Sequence, residues 1–440
     1  TDVLLLADIF ENFRDLALTN FRLDPAHYYT LPGFAWDACL LTTGVELQLI
    51  DNPDHYLFFE NALRGGISCI THRYAKANNP EAGNFNPEED TSYIIYLDAN
   101  ALYSTVMYKF PLPTGDFRFW EEEEIVQKRS EFETGSLPTD GKIGYSLEVD
   151  LEYSPELHDD HNDYPLAPEH LIVTEDMLSP YALSFQNRAK PTEKLVPNLM
   201  NKTNYIVHYT NLKLYLELGM RLRKIHRVME YKQEAWMRPY VELCTENRKR
   251  AKSDFHKDFW KLCVNAVFGK SMENIRNRVN VRLINDRIVG IKAASKPTFV
   301  CSKIINEDLV MVQNAVKTLR MTKPIYTGFA ILELSKTVMY EFHYKHIVNR
   351  YGSEKARLLF TDTDSLCYHI TTPNLYEDMR ENVELYDTSN FESDHFLYSA
   401  VNNKALGKFK SETGSKAPLE FVGLRAKMYS LLVGDDNKIT

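Results

Sequence analysis

The sequence has no apolar run long enough to cross a bilayer as a helix, so its pattern excludes a membrane-spanning segment. It has no fixed-period repeat and no low-complexity tract, which excludes a solenoid or a coiled array. Cysteine is sparse. Cys39, Cys69, Cys244, Cys263, Cys301 and Cys367 include no Cys-x-x-Cys pair, which speaks against a zinc ribbon or a disulfide framework. They read as small buried hydrophobes in a reducing compartment, nuclear or cytoplasmic rather than secreted. The first stretch, TDVLLLADIFENF, mixes acids with leucines and carries no basic leader, so it does not read as a signal peptide. Positive charge is also short: 51 Lys and Arg stand against 61 Asp and Glu, a net charge of −10.

What is present is a globular balance, 44% hydrophobic and 25% charged over 440 residues, enough for roughly two to four domains. The positive charge is concentrated. Residues 221–278 carry 15 Lys and Arg against 7 Asp and Glu, a local excess of +8. Such a segment can bind a phosphate backbone in an otherwise acidic chain; a solvated helix face is the other reading of the same residues.

Apolar residues recur at helical spacing from Val3 to Leu16, which predicts a helix over 2–19. Segment 75–92 is a polar loop leading into Tyr93–Leu97 (YIIYL), a short run of β-formers that reads as a buried strand ending at Asp98. Ala101–Phe110 reads as a helix stopped by Pro111 and Pro113, and Gly144–Leu151 as an alternating strand. Residues 152–200 are rich in loops. Their cluster His158-Asp159-Asp160-His161-Asn162-Asp163 lacks the fixed spacing of metal ligands and reads as a solvated loop or capping segment. Residues 211–278 are mostly helical in pattern. The segment 280–320 reads as a small β element (VNVRLI, RIVGIKA) and then a helix, and Thr327–Tyr344 as an amphipathic helix. Arg357–Ile370 (RLLFTDTDSLCYHI) is a hairpin pattern with a polar turn.

Two features carry chemistry. Asp98 ends one buried strand, and Asp362-Thr363-Asp364 occupies a hairpin turn. Brought together, these carboxylates make a hard-oxygen site suited to Mg²⁺. Two such ions about 3.5–4 Å apart can activate a hydroxyl and stabilise a leaving pyrophosphate. The second feature is a helix read over Arg248–Gly269. Lys257, Lys261 and Asn265 share one face, with Lys249 a turn further along, and Phe255, Phe259, Leu262 and Ala266 lie opposite. Lysines at that spacing suit a triphosphate; an ordinary amphipathic surface helix is the alternative.

These residues together resemble family B DNA polymerases, in particular the protein-primed branch of bacteriophages, linear plasmids and Polinton/Maverick transposons, the organellar and viral type. Asp98-Ala99-Asn100-Ala101-Leu102-Tyr103-Ser104 is similar to the family's first polymerase motif. Lys261, Asn265, Ala266, Phe268 and Gly269 fit the second, and Phe360-Thr361-Asp362-Thr363-Asp364-Ser365 the third. Lys427-Met428-Tyr429 resembles the Lys-x-Tyr motif, and Arg64-Gly65-Gly66 the short Gly-Gly motif that follows the exonuclease domain.

The resemblance implies an α+β right-hand polymerase with an antiparallel palm sheet and helical fingers, the exonuclease and thumb being largely missing. It implies Asp98 and Asp364 as metal ligands for two Mg²⁺ ions, with Mn²⁺ a possible substitute, and Asp362 in support. The backbone around Leu102 would approach the triphosphate, and Tyr103 would stack beneath the deoxyribose. Lys249, Lys257 and Lys261 would hold the triphosphate, with Asn265 and Phe268 near the nascent base pair. Arg64, Gly65, Gly66, Gly269, Lys427 and Tyr429 would contact DNA. The implied partners are primer–template DNA, dNTPs and a terminal priming protein, with no membrane and a monomeric state.

Departures from the pattern are Ala101, Ser104, Phe268 and Phe360, which keep the ligands and rings but lose hydroxyls or a proline. Thr327-Gly328-Phe329-Ala330 lacks the arginine expected after it, and Lys336 is the expected substitute for that primer contact. Asp2 resembles an exonuclease aspartate without its partners. The expected organisation is 1–22, exonuclease remnant; 23–150, first part of the palm; 151–232, terminal-protein-type insertion; 233–278, fingers; 279–325, second insertion; 326–440, second part of the palm. A decayed DNA-binding relic and a metal-dependent nuclease are competing classes. The intact carboxylates argue against the first, and the lysine-bearing helix against the second.

Overall fold

The apolar run at residues 93–97 becomes the central strand, Ser92–Ala99. Alternate side chains enter separate cores. Tyr93, Ile95 and Leu97 pack with Leu366, Tyr368 and Tyr340, while Ile94 packs with Phe360, Cys367 and Phe421. Burial on both sides explains why the run is apolar without alternation. This computed structural model describes residues 1–81, 85–184, 192–434 and 436–439. Residues 82–84 of the polar loop and 185–191 of the segment 152–200 lie outside them.

The central strand sits in a six-stranded sheet with the order Ser68–Ile70, Ala356–Asp362, Ser365–Thr371, Ser92–Ala99, Phe409–Ser411, Tyr386–Asp387. All pairs are antiparallel except the last. The helix Ile325–Tyr340 and its π-helical continuation Glu341–Val348 cover one face through Met339, Tyr340, Phe342 and Tyr344. On the other face Phe421, Tyr429 and Leu431 dock a second antiparallel sheet, ordered Asp436–Ile439, Met428–Val433, Glu420–Arg425, Tyr74–Lys76. The expectation of an amphipathic helix at 327–344 is corrected: 15 of the 16 residues of Ile325–Tyr340 are buried, because three hydrophobic clusters converge on it.

Arg221–Glu234 corrects the helical reading of 211–278. It is a 14-residue strand, central in a four-stranded sheet with Leu112–Phe119, Ile143–Glu152 and Lys202–His208. Register shifts against Ile143–Glu152 insert extra residues into it, so Leu222, Ile225, Val228 and Tyr231 recur every third position. Bulges thus give a strand the spacing of a helix. The same sheet joins residues 112–152 to 202–234, and the expected boundary at 151 falls inside the strand Ile143–Glu152.

The helix read over 248–269 is two helices. Arg238–Arg250 ends, Ala251 turns extended, and Ser253 caps Asp254–Ser271 by accepting from the His256 amide at 3.3 Å. Lys249 therefore lies on the preceding helix. The buried stripe of the second is Phe259, Trp260, Cys263, Val264 and Val267, while Phe255 and Leu262 are exposed, so the expected apolar face is shifted. The helices Asp2–Phe21 and Leu31–Thr43 pack on it, with Phe21 against Trp260 and Phe13 against Phe259.

Residues 280–314 form a separate antiparallel sheet in the order Asn280–Ile284, Leu309–Asn314, Phe299–Asn306. RIVGIKA is not a strand here but the start of the helix Arg287–Ala294, capped by Asp286 accepting from the Val289 amide, and the helix expected after it is the hairpin 299–314. Among the described residues no helix is long and apolar enough to cross a membrane.

Candidate active site

Antiparallel pairing of Ser92–Ala99 with Ser365–Thr371 puts Ser365 opposite Asp98. The Ala99 amide donates to the Asp364 carbonyl at 2.8 Å, which ties the strand end to the hairpin turn. Asp98 and Asp364 face one cavity of about 1200 Å³. The turn itself is braced from behind. Thr363 adopts φ 65°, its amide donates to the Ile67 carbonyl at 2.7 Å, and its side chain lies against Gly66, where a Cβ would collide with it. Gly66 thus supports the turn by close backbone approach.

Burial, then Asp364 and Glu412, push the Asp98 carboxyl up to about 7. Asp364 is raised too, by burial first and by Asp362 and Glu412, with Lys427 opposing. Glu412 went unnoticed in the sequence. It directly follows the strand Phe409–Ser411, and its amide donates to the Tyr96 carbonyl at 2.8 Å. An acid directly after a short strand with a buried aromatic was the available signal. Asp362, the expected supporting ligand, is not on the cavity wall: both its oxygens accept from Lys427 Nζ, at 2.7 and 2.8 Å.

The opposite wall comes from the helix pair. Arg248, Lys249, Lys257, Lys261 and Asn265 line the cavity, with Asn100 and Ala101 beneath. Lys249 pairs with Glu246 at 2.9 Å and Lys257 with Asp254 at 3.0 Å, both exposed pairs on their own helices, which are weak holds. Lys261 makes no ion pair among the described residues. Arg248 is a cavity residue that the charge pattern contained but the site assignment missed. Ala101 takes the left-handed region at φ 49°, which turns the chain from strand into the helix Leu102–Lys109, and the Leu102 side chain is buried in the core. Tyr103 stacks on Phe268, with ring centroids 4.2 Å apart and planes at 17°. Burial, then Asp364, raise the Tyr103 phenol above its ordinary range. Gly269 is exposed, with nothing within 4 Å of a Cβ.

Three of the expected DNA-facing side chains are turned inward. Arg64 is buried, its guanidinium 3.8 Å from the Tyr205 ring centroid and donating to the Ile206 carbonyl at 2.7 Å. Lys336 is buried beside Glu333 and donates to the Arg64 carbonyl at 2.9 Å; burial pushes its ammonium down to about 8. Both are corrected from primer or template contacts to an interior brace behind the Gly65-Gly66 segment. Tyr429 is buried, stacked on Phe360 at 4.1 Å with its hydroxyl 3.0 Å from that of Tyr96. Gly65 stays exposed at the surface, with open space where a Cβ would lie. Asp163, expected in a solvated loop, instead accepts from Arg357 Nε at 3.2 Å and the Leu358 amide at 3.0 Å, and contacts His72 Nε2 at 2.9 Å.

Among the described residues no three His, Cys, Asp or Glu converge closely enough to hold a metal unaided. Magnesium is commonly held by one or two carboxylates completed by substrate phosphates and water, and Asp98 with Asp364 fit that donor set.

Residues 1–347 match the family model described as DNA polymerase type B, organellar and viral. No curated protein matches the chain. Among solved structures, an orthorhombic crystal form of Phi29 DNA polymerase is similar at TM-score 0.52 and 12% identity, covering 92% of this chain and 55% of that one. Phi29 DNA polymerase complexed with primer-template DNA and incoming nucleotide substrates is similar at TM-score 0.51 and 11% identity, covering 92% and 56%. At that identity the likeness shows the fold, an α+β architecture with antiparallel sheets, and the chain spans just over half the length of these structures.

The raised Asp98 carboxyl has a consequence for stability. Between the ordinary carboxylate value of 3.8 and about 7 the folded state binds a proton that the unfolded state releases, so this residue's contribution falls as pH rises through that window. Asp98→Asn removes the disfavoured charge. In chelator-treated protein its Tm should exceed wild type at about pH 8, with the difference closing at about pH 4. Thermal melts at both pH values check this; an equal difference at both would contradict it.

Proposed function

We propose that this chain, which belongs to the organellar and viral type B DNA polymerases, carries the nucleotidyl-transfer centre of a template-directed DNA polymerase. The observation that carries the reading is the pairing of Asp98 with Asp364 on one wall of a cavity whose opposite wall bears Lys249, Lys257 and Lys261. Carboxylates facing cations across a cleft suit a substrate that is a polyphosphate and arrives with divalent metal.

Asp98 and Asp364 would hold Mg²⁺, or Mn²⁺ in its place, jointly with the phosphates of a dNTP. Bound metal would activate the primer 3′-hydroxyl and stabilise the departing pyrophosphate. The rest falls to the chain itself. Lys257 and Lys261 give charge-assisted contacts to the triphosphate; the exposed pair of Lys257 with Asp254 costs little to exchange for phosphate, and Lys261 has no ion pair among the described residues to break. The left-handed turn at Ala101 presents Asn100–Ala101 backbone to the cavity beside Asp98. Tyr103, stacked on Phe268 next to the lining residues Ala101 and Ser104 but not itself on the cavity wall, would lie beneath the sugar, where a 2′-hydroxyl would meet the ring. Asn265 faces the same cavity and is placed to contact the nascent base pair. Lys427 neutralises Asp362, which keeps the repulsion at the turn bearable and leaves Asp98 and Asp364 as the metal pair.

Primer–template DNA and dNTPs are the proposed substrates, and a terminal priming protein is a proposed partner. The basic segment 221–278 is split between the strand Arg221–Glu234 and the helix pair, so its helical half is what borders the cavity.

Asp98→Ala and Asp364→Ala should each reduce incorporation of dNMP in a primer-extension assay with Mg²⁺ to below a few per cent, while primer–template affinity stays within about threefold of wild type. Extension well above that level in either variant would contradict the assignment.

Tyr103→Val should open the space beneath the sugar. The ratio of rNTP to dNTP incorporation efficiency should rise at least roughly tenfold, a change of about 1.4 kcal/mol in discrimination. An unchanged ratio would reduce Tyr103 to a packing partner of Phe268.

A further inference from the structure

The sequence Lys408-Phe409-Lys410-Ser411-Glu412 holds a cation that none of the motifs above absorbs. The strand Phe409–Ser411 pairs antiparallel with Ser92–Ala99, and Lys410 stands directly opposite Asp98. Residues directly opposite in such a pair project from the same face of the sheet. Lys410 therefore rises beside the carboxylate at the floor of the cleft and lines the cavity with Asp98, Asp364 and Glu412.

Its strand is held firmly. Asp387, fully buried, accepts from Asn100 Nδ2 and from the Lys404 amide at 2.8 Å each and from the Ser389 amide at 3.0 Å. The Asn100 amide donates to the Lys408 carbonyl at 2.9 Å, and the Gly407 amide to the Asn100 carbonyl at 3.0 Å. Asp387 also lies opposite Lys410 in the parallel ladder on its other side. The turn after Asp98 and the segment that carries Lys410 thus form one hydrogen-bonded body. Despite three carboxylates along this wall, the Lys410 ammonium makes no ion pair among the described residues, whereas Lys427 does pair with Asp362 outside the cavity.

We propose that Lys410 is a nucleotide-binding residue that contacts the pyrophosphate moiety of the incoming nucleoside triphosphate from the sheet side, opposite Lys257 and Lys261. The inference rests on the reading of the cavity as a dNTP site. A triphosphate there has lysines along the helix wall, while on the sheet side it would otherwise meet Asp98, Asp364 and Glu412, with Lys404 contributed by the exposed loop before the strand. Lys410 supplies the opposing charge on that side. The same contact would serve free pyrophosphate, the leaving group, in the reverse reaction.

The test is equilibrium binding of a dNTP to the full chain with primer–template and Ca²⁺, which reads the site without turnover, alongside steady-state incorporation with Mg²⁺. Loss of a charge-assisted contact at a half-exposed position should cost roughly tenfold in affinity. Lys410→Ala should weaken dNTP binding by about that factor and raise the dNTP KM more than it lowers kcat. Lys410→Arg should recover to within about threefold, and DNA affinity and its salt dependence should be unchanged. Lys261→Ala serves as the helix-wall comparison. Unchanged dNTP affinity in Lys410→Ala, with Lys261→Ala impaired, would overturn the inference and leave the site reading intact. A shallower salt dependence of DNA binding would overturn it in favour of a DNA contact. Absence of dNTP binding by the wild-type chain would overturn the site reading itself, and the inference with it.

Discussion

The antiparallel pairing of Ser92–Ala99 with Ser365–Thr371 is the constraint on which the rest depends. It brings together two carboxylates from distant parts of the chain, Asp98 and Asp364, and fixes them through backbone hydrogen bonds. A one-residue slip would turn Asp98 to the opposite face, but it would also exchange Ile94 with Ile95 and Tyr93 between two filled cores. Register, and with it the site, is therefore secured by packing on both sides of the sheet. The elements added around this pair serve it. The Gly66 segment backs the Thr363 turn, the buried Lys336 and Arg64 brace that segment, and Asp387 joins the Asn100 turn to the strand carrying Lys410.

Charge is distributed so that only part of it is compensated within the chain. Asp362 has Lys427, and Asp163 has His72 and Arg357. Burial holds the Asp98 and Asp364 carboxyls above the ordinary range, with Asp364 and Glu412 adding to the first and Asp362 and Glu412 to the second. Uncompensated acids on a rigid frame are costly in the free protein and favour the arrival of cation and polyphosphate together. Stability is exchanged for binding at the positions that the proposed chemistry uses.

Much of this was legible in the residues. YIIYLD and LLFTDTDSLCYHI announce themselves because continuous β-formers bounded by acids have few other solutions, and the cation face of Lys257, Lys261 and Asn265 follows from helical spacing alone. The rest was hidden by specific physics. Bulges gave Arg221–Glu234 the spacing of a helix. A three-residue break moved Lys249 to a different helix although it lines the same cavity. Arg64 and Lys336 look like surface cations in sequence; only tertiary packing supplies the Tyr205 ring, the carbonyls and Glu333 that let them be buried. Lys410 sits on a strand of three residues and Glu412 directly after it, too short a run to show a period, and both gain meaning only from standing beside Asp98. Sheet pairing, which composition does not show, joins residues 112–152 to 202–234 across the expected boundary at 151.

The central claim is that Asp98 and Asp364 act as one metal–nucleotide site. It is tested most directly by titrating Mn²⁺ into the chain in the presence of a dNTP, with the bound ion followed by electron paramagnetic resonance. Wild type should be compared with Asp98→Ala, Asp364→Ala and the double variant. Shared ligation requires strong coupling: each single change should abolish most of the dNTP-dependent binding, and the double change should cost little more than either alone. Independent, additive losses, or full binding retained in one single variant, would contradict a shared site.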